Sequence, residues 1–219
     1  MSVLLLGASG LAREVIAAGA PGIVGVLDDD PTMHGTECGG VPVLGGIAEA
    51  VTRRADHLLL CVGPGRARRE VAHRLAAAGV GADRYATFVA ADARIGATST
   101  VGGGSILLDG ATITAEARVG RHVVVMPGCT IGHDDLVADF ATFAAGVSLG
   151  GGVRIGEAAF LGLNASVHPG VAIGADATVG MGAAVIRDVP DGETWVGVPA
   201  RPLLSSGGIH PISVLEVSA

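Results

Sequence analysis

From Ile95 to Val185 the chain places a large apolar residue at every sixth position, sixteen times in succession. The residue after each of these is often glycine, and the residue four positions on is small or apolar in nearly every repeat. A period of six matches neither an α-helix nor an alternating strand, but it is typical of a β-solenoid, in which short strands meet at tight corners. Asp135 is the one residue that breaks the pattern of small residues.

Three hexapeptides complete one coil of such a solenoid, so residues 18 apart are expected to stack at the strand spacing of about 4.8 Å. The apolar residues then fill the axis, while the small residues and glycines allow close packing at the corners. The array predicts about five coils of a triangular prism, within a domain spanning 85–203. Because no loop interrupts the repeat, an active site has to be built on the coils themselves.

Residues 1–84 alternate strand-like and helical runs. "VLLLGASGLAREVIAAG" predicts a strand, a glycine-rich turn and a helix, while "IVGVLDDD" and "HLLLCVG" predict two further strands. We therefore expect a parallel three-stranded βαβαβ domain, Rossmann-like but only half the size of a dinucleotide-binding fold. That size favours a nucleotide or nucleotide-sugar as ligand. The alternative is a turn that only starts a helix.

Composition narrows the choice of partners and location. The formal net charge of -7 argues against nucleic acid or an anionic membrane surface as the main partner. Three scattered cysteines, Cys38, Cys61 and Cys129, are too few for a disulfide framework. The N-terminus lacks the basic region of a signal peptide, and no apolar run is as long as a bilayer span, so we expect a cytoplasmic protein that does not contact membranes.

The combination of "GASGLAREVI", "GVLDDD", the hexapeptide array carrying "GHD", and "WVGVPARPL" resembles the sugar O- and N-acetyltransferases of the sialic acid and bacillosamine type. The resemblance covers residues 1–203 and leaves 204–219 as a tail. It implies a left-handed parallel β-helix behind the nucleotide-sugar-binding domain, with acetyl-CoA as acyl donor. Flat prism faces are best covered by copies of themselves, so we expect a homotrimer with each CoA groove between two subunits.

The resemblance implies that His133 is the general base and Asp134 its support. The chemistry agrees, because an amine or hydroxyl that attacks a thioester must lose a proton, and a carboxylate-supported imidazole removes it near neutral pH. A solvated surface histidine is the alternative. Cys129 is expected to be a structural thiol rather than an acyl carrier. Asp135 either caps backbone amides or tunes His133.

The remaining site residues also follow from the resemblance. The positions expected at the sugar-nucleotide are Gly7, Ser9, Gly10, Leu11, Asp28 and Asp29. The positions expected along CoA are Thr142, Gly151, Leu163, Met181, Arg187 and Pro199. Gly151 follows His133 by one coil, so it either leaves room for the thioester, with its N–H toward the oxyanion, or only shapes the corner.

Two departures from the family pattern concern substrate. Leu11 and Thr142 stand where many relatives have histidine, which removes polar contacts from the acceptor and donor regions. The spacing of His122, His133 and His168 does not match a zinc site, so no metal is expected. The chain is therefore predicted to be an acetyl-CoA-dependent N- or O-acetyltransferase of a sugar. The alternatives are an acyltransferase for a small molecule without a nucleotide, or a non-catalytic trimeric binding protein.

Overall fold

The computed structural model describes residues 1–203, so the predicted tail, 204–219, lies outside the described residues. The first part of the chain forms a sheet of five strands, two more than the sequence predicted. In chain order they are β1 (Val3–Leu6), β2 (Ile23–Leu27), β3 (Glu37–Cys38), β4 (Val41–Gly45) and β5 (His57–Leu60). The spatial order is β3-β4-β2-β1-β5, parallel except for β3 at the edge.

Two α-helices accompany this sheet: α1 (Gly10–Ala17) follows β1, and α2 (Gly65–Ala77) follows β5. Short 3-10 helices lie at Pro31–Met33, Ile47–Val51 and Ala82–Arg84. The β3–β4 hairpin turns on two glycines with positive φ, Gly39 and Gly40. Over residues 1–203, no helix has the length and apolar character that a membrane span requires.

From residue 88 onward the chain winds into a three-sided parallel β-helix, whose sides we call faces one, two and three in the order the chain visits them. Face one contains Phe88–Val89, Ile106–Leu107, Val124–Val125, Thr142–Phe143, Phe160–Leu161, Thr178–Val179, Thr194–Val196 and Arg201–Pro202. Face two contains Arg94–Ile95, Thr112–Ile113, Thr130–Ile131, Ser148–Leu149, Ser166–Val167 and Ala184–Val185. Face three contains Thr100–Val101, Arg118–Val119, Leu136–Val137, Arg154–Ile155 and Ala172–Ile173. We call the corner between faces one and two the first corner, the next the second, and the one between faces three and one the third.

Residues 18 apart pair in register on every face, as the repeat predicts. Val125 pairs with Phe143, and Phe143 with Leu161, on face one. These three side chains are fully buried and belong to a single core that runs the length of the β-helix. Small and β-branched side chains fill the axis, so the low aromatic content of the chain is consistent with a close-packed interior.

The first domain packs on face one. Ile106 and Val124 point outward from that face, yet they are 0% and 2% exposed, because they share one apolar cluster with Leu11 and Val15 of α1. The two domains thus bury a common core.

Phe143 offers a test of axial packing. We expect Phe143→Ala to destabilise the protein by about 3–5 kcal/mol, since it empties a fully buried position that its neighbours cannot close. Phe160→Ala, on the outward side of the next strand, serves as the control and should cost clearly less. Urea unfolding at one fixed protein concentration gives both values. Equal losses would contradict a tightly packed axis.

Candidate functional site

His133 and Asp134 stand on the second corner and face solvent, with side chains 69% and 65% exposed. The corner is fixed by backbone bonds to the coils on either side: Asp134 N–H donates to Ala115 O at 3.0 Å, and Gly152 N–H donates to His133 O at 2.8 Å. Asp134 has a φ of 61°, a left-handed conformation that recurs at other corners of the β-helix, for example at Glu116 and Ala158. The stacking of coils therefore presents this pair at the surface without any loop.

The hydrogen bond between the two side chains determines which imidazole nitrogen is available. Nδ1 of His133 lies 2.8 Å from Oδ2 of Asp134. A carboxylate only accepts hydrogen bonds, so Nδ1 carries the proton, and the neutral ring presents an unprotonated Nε2. A Cβ placed on Gly151 would collide with the Nε2 edge of the ring. The Nε2 edge of the ring therefore lies directly against the backbone of Gly151, and glycine at this position leaves the space that the imidazole occupies.

Asp135 faces the interior and is fully buried. Its Oδ2 accepts the N–H of Gly132 at 2.6 Å, and its Oδ1 accepts the N–H of Val153 at 2.8 Å. Burial raises the pKa of the Asp135 carboxyl, and the two amide bonds oppose that rise. In the part of the chain that the structure describes, Asp135 makes no hydrogen bond to His133. The capping role accounts for every contact that we observe.

The Cys129 thiol is buried in one of the small-residue slots, where it donates to Ala144 O at 3.1 Å. Burial raises its pKa to about 11, so the group stays protonated at neutral pH. A protonated, inaccessible thiol is a structural group, not an acyl carrier.

The positions expected along CoA are spread over different corners. Gly151 and Arg187 share the second corner with His133. Leu163 and Met181 stack on the first corner, across face two, where they are 48% and 74% exposed. In a single chain, the apolar stripe of the first corner and the basic nitrogen of the second corner flank face two on opposite sides.

Thr142 and Pro199 occupy other places. Thr142 is 6% exposed; its hydroxyl accepts a hydrogen bond from Arg68 at 2.8 Å and approaches Gly63 O at 3.4 Å. It therefore belongs to the interface between the domains and is not open to a donor within one chain. Pro199 lies in the turn after the strand Thr194–Val196. That strand pairs with Thr178–Val179 at the end of the β-helix.

The glycine-rich turn serves the local backbone. Gly7 has a φ of 109°, and a Cβ there would lie 3.0 Å from Cys61 O, so the approach of β5 requires glycine. Ser9 is the N-cap of α1, and its hydroxyl accepts the N–H of Leu11 at 3.1 Å. Gly10 is the first residue of the helix. Leu11 is 7% exposed and packs in the core shared with the β-helix instead of facing solvent.

The two predicted acidic ligands also hold backbone. Asp28 accepts the N–H of Ala8, in the glycine-rich turn, at 2.6 Å. Asp29 accepts the N–H of Ile47 at 2.9 Å and forms an ion pair with Arg74. Both carboxylates thus stabilise turns at the carboxyl edge of the sheet, and their predicted contact with a sugar-nucleotide stays a prediction.

The other candidate histidines are not gathered with His133. His122 lies on the third corner, stacked on Phe140 at a ring distance of 5.0 Å, with Tyr85 edge-on at 4.6 Å. His168 is on the second corner and contacts Pro169 O at 3.0 Å. Within residues 1–203, no group of three or more His, Cys, Asp or Glu side chains could hold a metal ion.

Solved structures share both the fold and the length of this chain. GDP-perosamine N-acetyltransferase PerB from Caulobacter crescentus, in complex with CoA and GDP-perosamine, is 30% identical, with a TM-score of 0.84 over 92% of this chain and 97% of that one. The acetyltransferase domain of PglB from Neisseria gonorrhoeae, in complex with acetyl coenzyme A, is 30% identical, with a TM-score of 0.82 over 92% of this chain and 98% of that one. The chain belongs to the hexapeptide-repeat acetyltransferases.

Further comparisons agree with this family. WeeI from Acinetobacter baumannii is 28% identical, with a TM-score of 0.81 over 93% of the acetyltransferase described here and 100% of its own chain. The family model for the hexapeptide repeat of succinyl-transferase matches residues 152–187. No curated protein matches by sequence. Membership makes the β-helix left-handed and the protein an acyltransferase.

One group at the domain interface was not found by sequence reasoning. Arg68 reads as a polar helix residue in "RARREV", yet it is fully buried and bonds to both domains. Its only sequence signal is a run of three arginines in four residues, which at helical spacing are spread too widely around the axis for all of them to face solvent.

The capping role of Asp135 in this acetyltransferase can be tested with two substitutions. Asp135→Ala leaves two buried amides without their acceptor and should cost about 1–3 kcal/mol of unfolding free energy. Asp135→Ser should recover part of this loss, because Ser99 and Ser105 occupy equivalent slots and accept the amide one coil on at 3.0 Å. Thermal unfolding of the three proteins gives the ranking. A folded Asp135→Ser protein with strongly reduced turnover would instead support tuning of His133.

Proposed function

We propose that this acetyltransferase moves the acetyl group of acetyl-CoA directly to the amino group of a nucleotide-linked sugar, with His133 as general base. The observation that carries the proposal is the exposed His133–Asp134 pair, in which Nδ1 faces the carboxylate and Nε2 lies beside Gly151. The complexes of PerB with CoA and GDP-perosamine, and of PglB with acetyl coenzyme A, support these classes of donor and acceptor. A cytoplasmic location stays a prediction.

The chemistry needs no covalent enzyme intermediate. As the amine nitrogen bonds to the thioester carbonyl carbon, Nε2 of His133 takes the proton that the nitrogen loses. The carboxylate of Asp134 holds the ring and stabilises the imidazolium that forms. The tetrahedral intermediate then expels the CoA sulfur, which recovers the proton. We assign the backbone N–H of Gly151 to the developing oxyanion, since the backbone of Gly151 lies directly against the Nε2 edge of the His133 ring.

We assign the acceptor to the first domain, interpreted as a Rossmann-like unit. Its glycine-rich turn and the ends of β2 and β5 meet at the carboxyl edge of a mostly parallel sheet, where ligands of such sheets bind. The same base would serve a hydroxyl acceptor. An amine is favoured because the named activity of PerB is N-acetyl transfer.

We further propose that the active site is completed in a homotrimer. After the first strand of face two, which carries Arg94, the residues that point outward from this face are small or weakly polar: Thr112, Thr130, Ser148, Ser166 and Ala184. Three copies can therefore turn this face toward a common axis at close range. That arrangement brings the second corner of one copy, with His133, next to the first corner of its neighbour, with Leu163 and Met181. The donor would then lie between the two corners.

Replacing the base should abolish transfer while leaving the protein folded. We expect His133→Ala to lower kcat by about 10²–10⁴-fold, because the amine then loses its proton acceptor. Asp134→Asn should cause a smaller loss, since the imidazole remains. Release of CoA thiol is measured with a panel of UDP-, dTDP- and GDP-linked amino sugars and with free sialic acid as a hydroxyl-bearing control.

His168→Ala is the matched control, because His168 is an exposed histidine on the same corner, two coils on. It should retain wild-type turnover. Wild-type turnover in His133→Ala would refute the mechanism, and the absence of acetyl-CoA binding would refute the activity. Binding of acetyl-CoA without release by any acceptor would reject the nucleotide-sugar and leave an unrelated small molecule.

Mixed assemblies test the shared site. His133→Ala and Met181→Glu proteins should each be inactive, the second because a carboxylate blocks the apolar stripe of the first corner. If the two corners of one site come from different copies, co-expression should restore about a quarter of the sites, since each site draws its halves independently. Light scattering should give a mass about three times that of the 21.5 kDa chain. A monomeric mass, or the absence of restored activity in mixed assemblies, would contradict an active site shared between two copies.

A further inference from the structure

Arg68 on α2 is the largest fully buried side chain of the described residues. On the side of the first domain, its Nη1 donates to Val62 O at 2.9 Å and to Gly63 O. These two residues begin the loop one residue after β5, at the carboxyl edge of the sheet. The guanidinium thus anchors the loop next to which the proposed acceptor binds.

On the side of the β-helix, Arg68 contacts two consecutive coils. Its Nε donates to His122 O at 3.1 Å, and its Nη2 donates to Phe140 O and to Thr142 Oγ1, both at 2.8 Å. Ala141 O lies 3.1 Å from the same Nη2. Every nitrogen of the planar fork therefore has an acceptor, and the acceptors belong to both domains.

The guanidinium carries its charge without a carboxylate partner: within residues 1–203 it takes part in no ion pair. Five backbone carbonyls and one hydroxyl solvate it instead. Lysine cannot reproduce this arrangement, because an ammonium offers only three donors and no planar fork. The contact thus depends on geometry as well as on charge.

The same helix also carries peripheral contacts between the domains. Arg66, with a side chain 60% exposed, pairs with Asp176 at 2.9 Å, and Arg69 pairs with Glu157 at 3.1 Å. Exposed ion pairs of this kind contribute little, because solvent screens them. They provide a control at the same interface.

We propose that Arg68 is a positioning residue for the acceptor: it fixes the loop after β5 against the third corner of the β-helix, and so sets where the acceptor domain holds the amine. It touches neither reactant and acts through Val62, Gly63 and Thr142. The donor residues of the first and second corners make no contact with it. This inference rests on the proposed acyl transfer and goes beyond it.

The kinetic test compares Arg68→Lys with Arg66→Gln. We expect Arg68→Lys to raise the acceptor KM and lower kcat by at least about tenfold together, because small displacements of a reactant have large effects on rate. The KM for acetyl-CoA should stay within about twofold of wild type. Arg66→Gln should leave all three constants unchanged. Equal increases in both KM values, or a loss of thermal stability alone, would overturn the proposal.

Thr142→Val provides a milder variant if Arg68→Lys fails to fold. It removes one acceptor of the guanidinium and nearly conserves volume. A rise in the acceptor KM supports action through Arg68. A rise confined to the acetyl-CoA KM would make Thr142 a donor contact and overturn this assignment.

Hydrogen exchange separates this inference from the proposed function, because it needs no substrate. In Arg68→Lys, amides of residues 62–66 and of the third corner should exchange at least about tenfold faster, while amides around His133 keep their wild-type rates. Unchanged exchange at 62–66 would overturn the proposal that Arg68 fixes the loop after β5, even if the enzyme is active. If exchange is faster but the wild-type enzyme acetylates none of the sugars in the panel, the role of Arg68 in fixing the loop is retained and the proposed class of acceptor is rejected.

Discussion

The register of parallel coils, in which each residue stacks on the one 18 positions away, is the constraint on which this protein depends. Because Val125, Phe143 and Leu161 must stack along one face, the positions between them are fixed as well. His133 therefore reaches the surface at a corner, and Gly151 lies against its Nε2. A loop is free to move, whereas a base held by the hydrogen bonds of two neighbouring coils is fixed by the fold itself.

The interface between the domains is also organised around buried polar groups. Backbone carbonyl oxygens, including that of His122, take the place of water around the Arg68 guanidinium. Burial, together with the nearby Arg121 and Arg68 charges, lowers the pKa of the His122 imidazole to about 4. A neutral ring can stack on Phe140 without adding a second charge beside the guanidinium. The buried part of this interface thus holds the Arg68 guanidinium as its charged group and keeps the neighbouring imidazole neutral.

The six-residue period made the β-helix predictable, because each hexapeptide repeats the same pattern of apolar and small positions and residues 18 apart stack on one another. The first domain was less predictable. β3 is only two residues long and lies at the sheet edge, and the sequence of β4 contains proline and glycine, so neither strand was predicted. Ser9 and Asp28 match a nucleotide-binding pattern, yet their contacts satisfy backbone amides; sequence does not separate these roles. Arg68 was missed because its acceptors in the β-helix lie more than fifty residues away along the chain.

The distribution of the site over the prism links assembly to chemistry. Face two separates Nε2 of His133 from the apolar stripe of Leu163 and Met181. Because the prism is rigid, these two corners of one chain cannot come together. A second copy, related by rotation about an axis parallel to the long axis of the β-helix, can bring the two corners together without deforming either chain. The first domain covers face one and therefore leaves face two free for this contact. In the proposed trimer a neighbouring copy would complete the donor site beside His133, and the proposed role of Arg68 is to set how the acceptor meets that site.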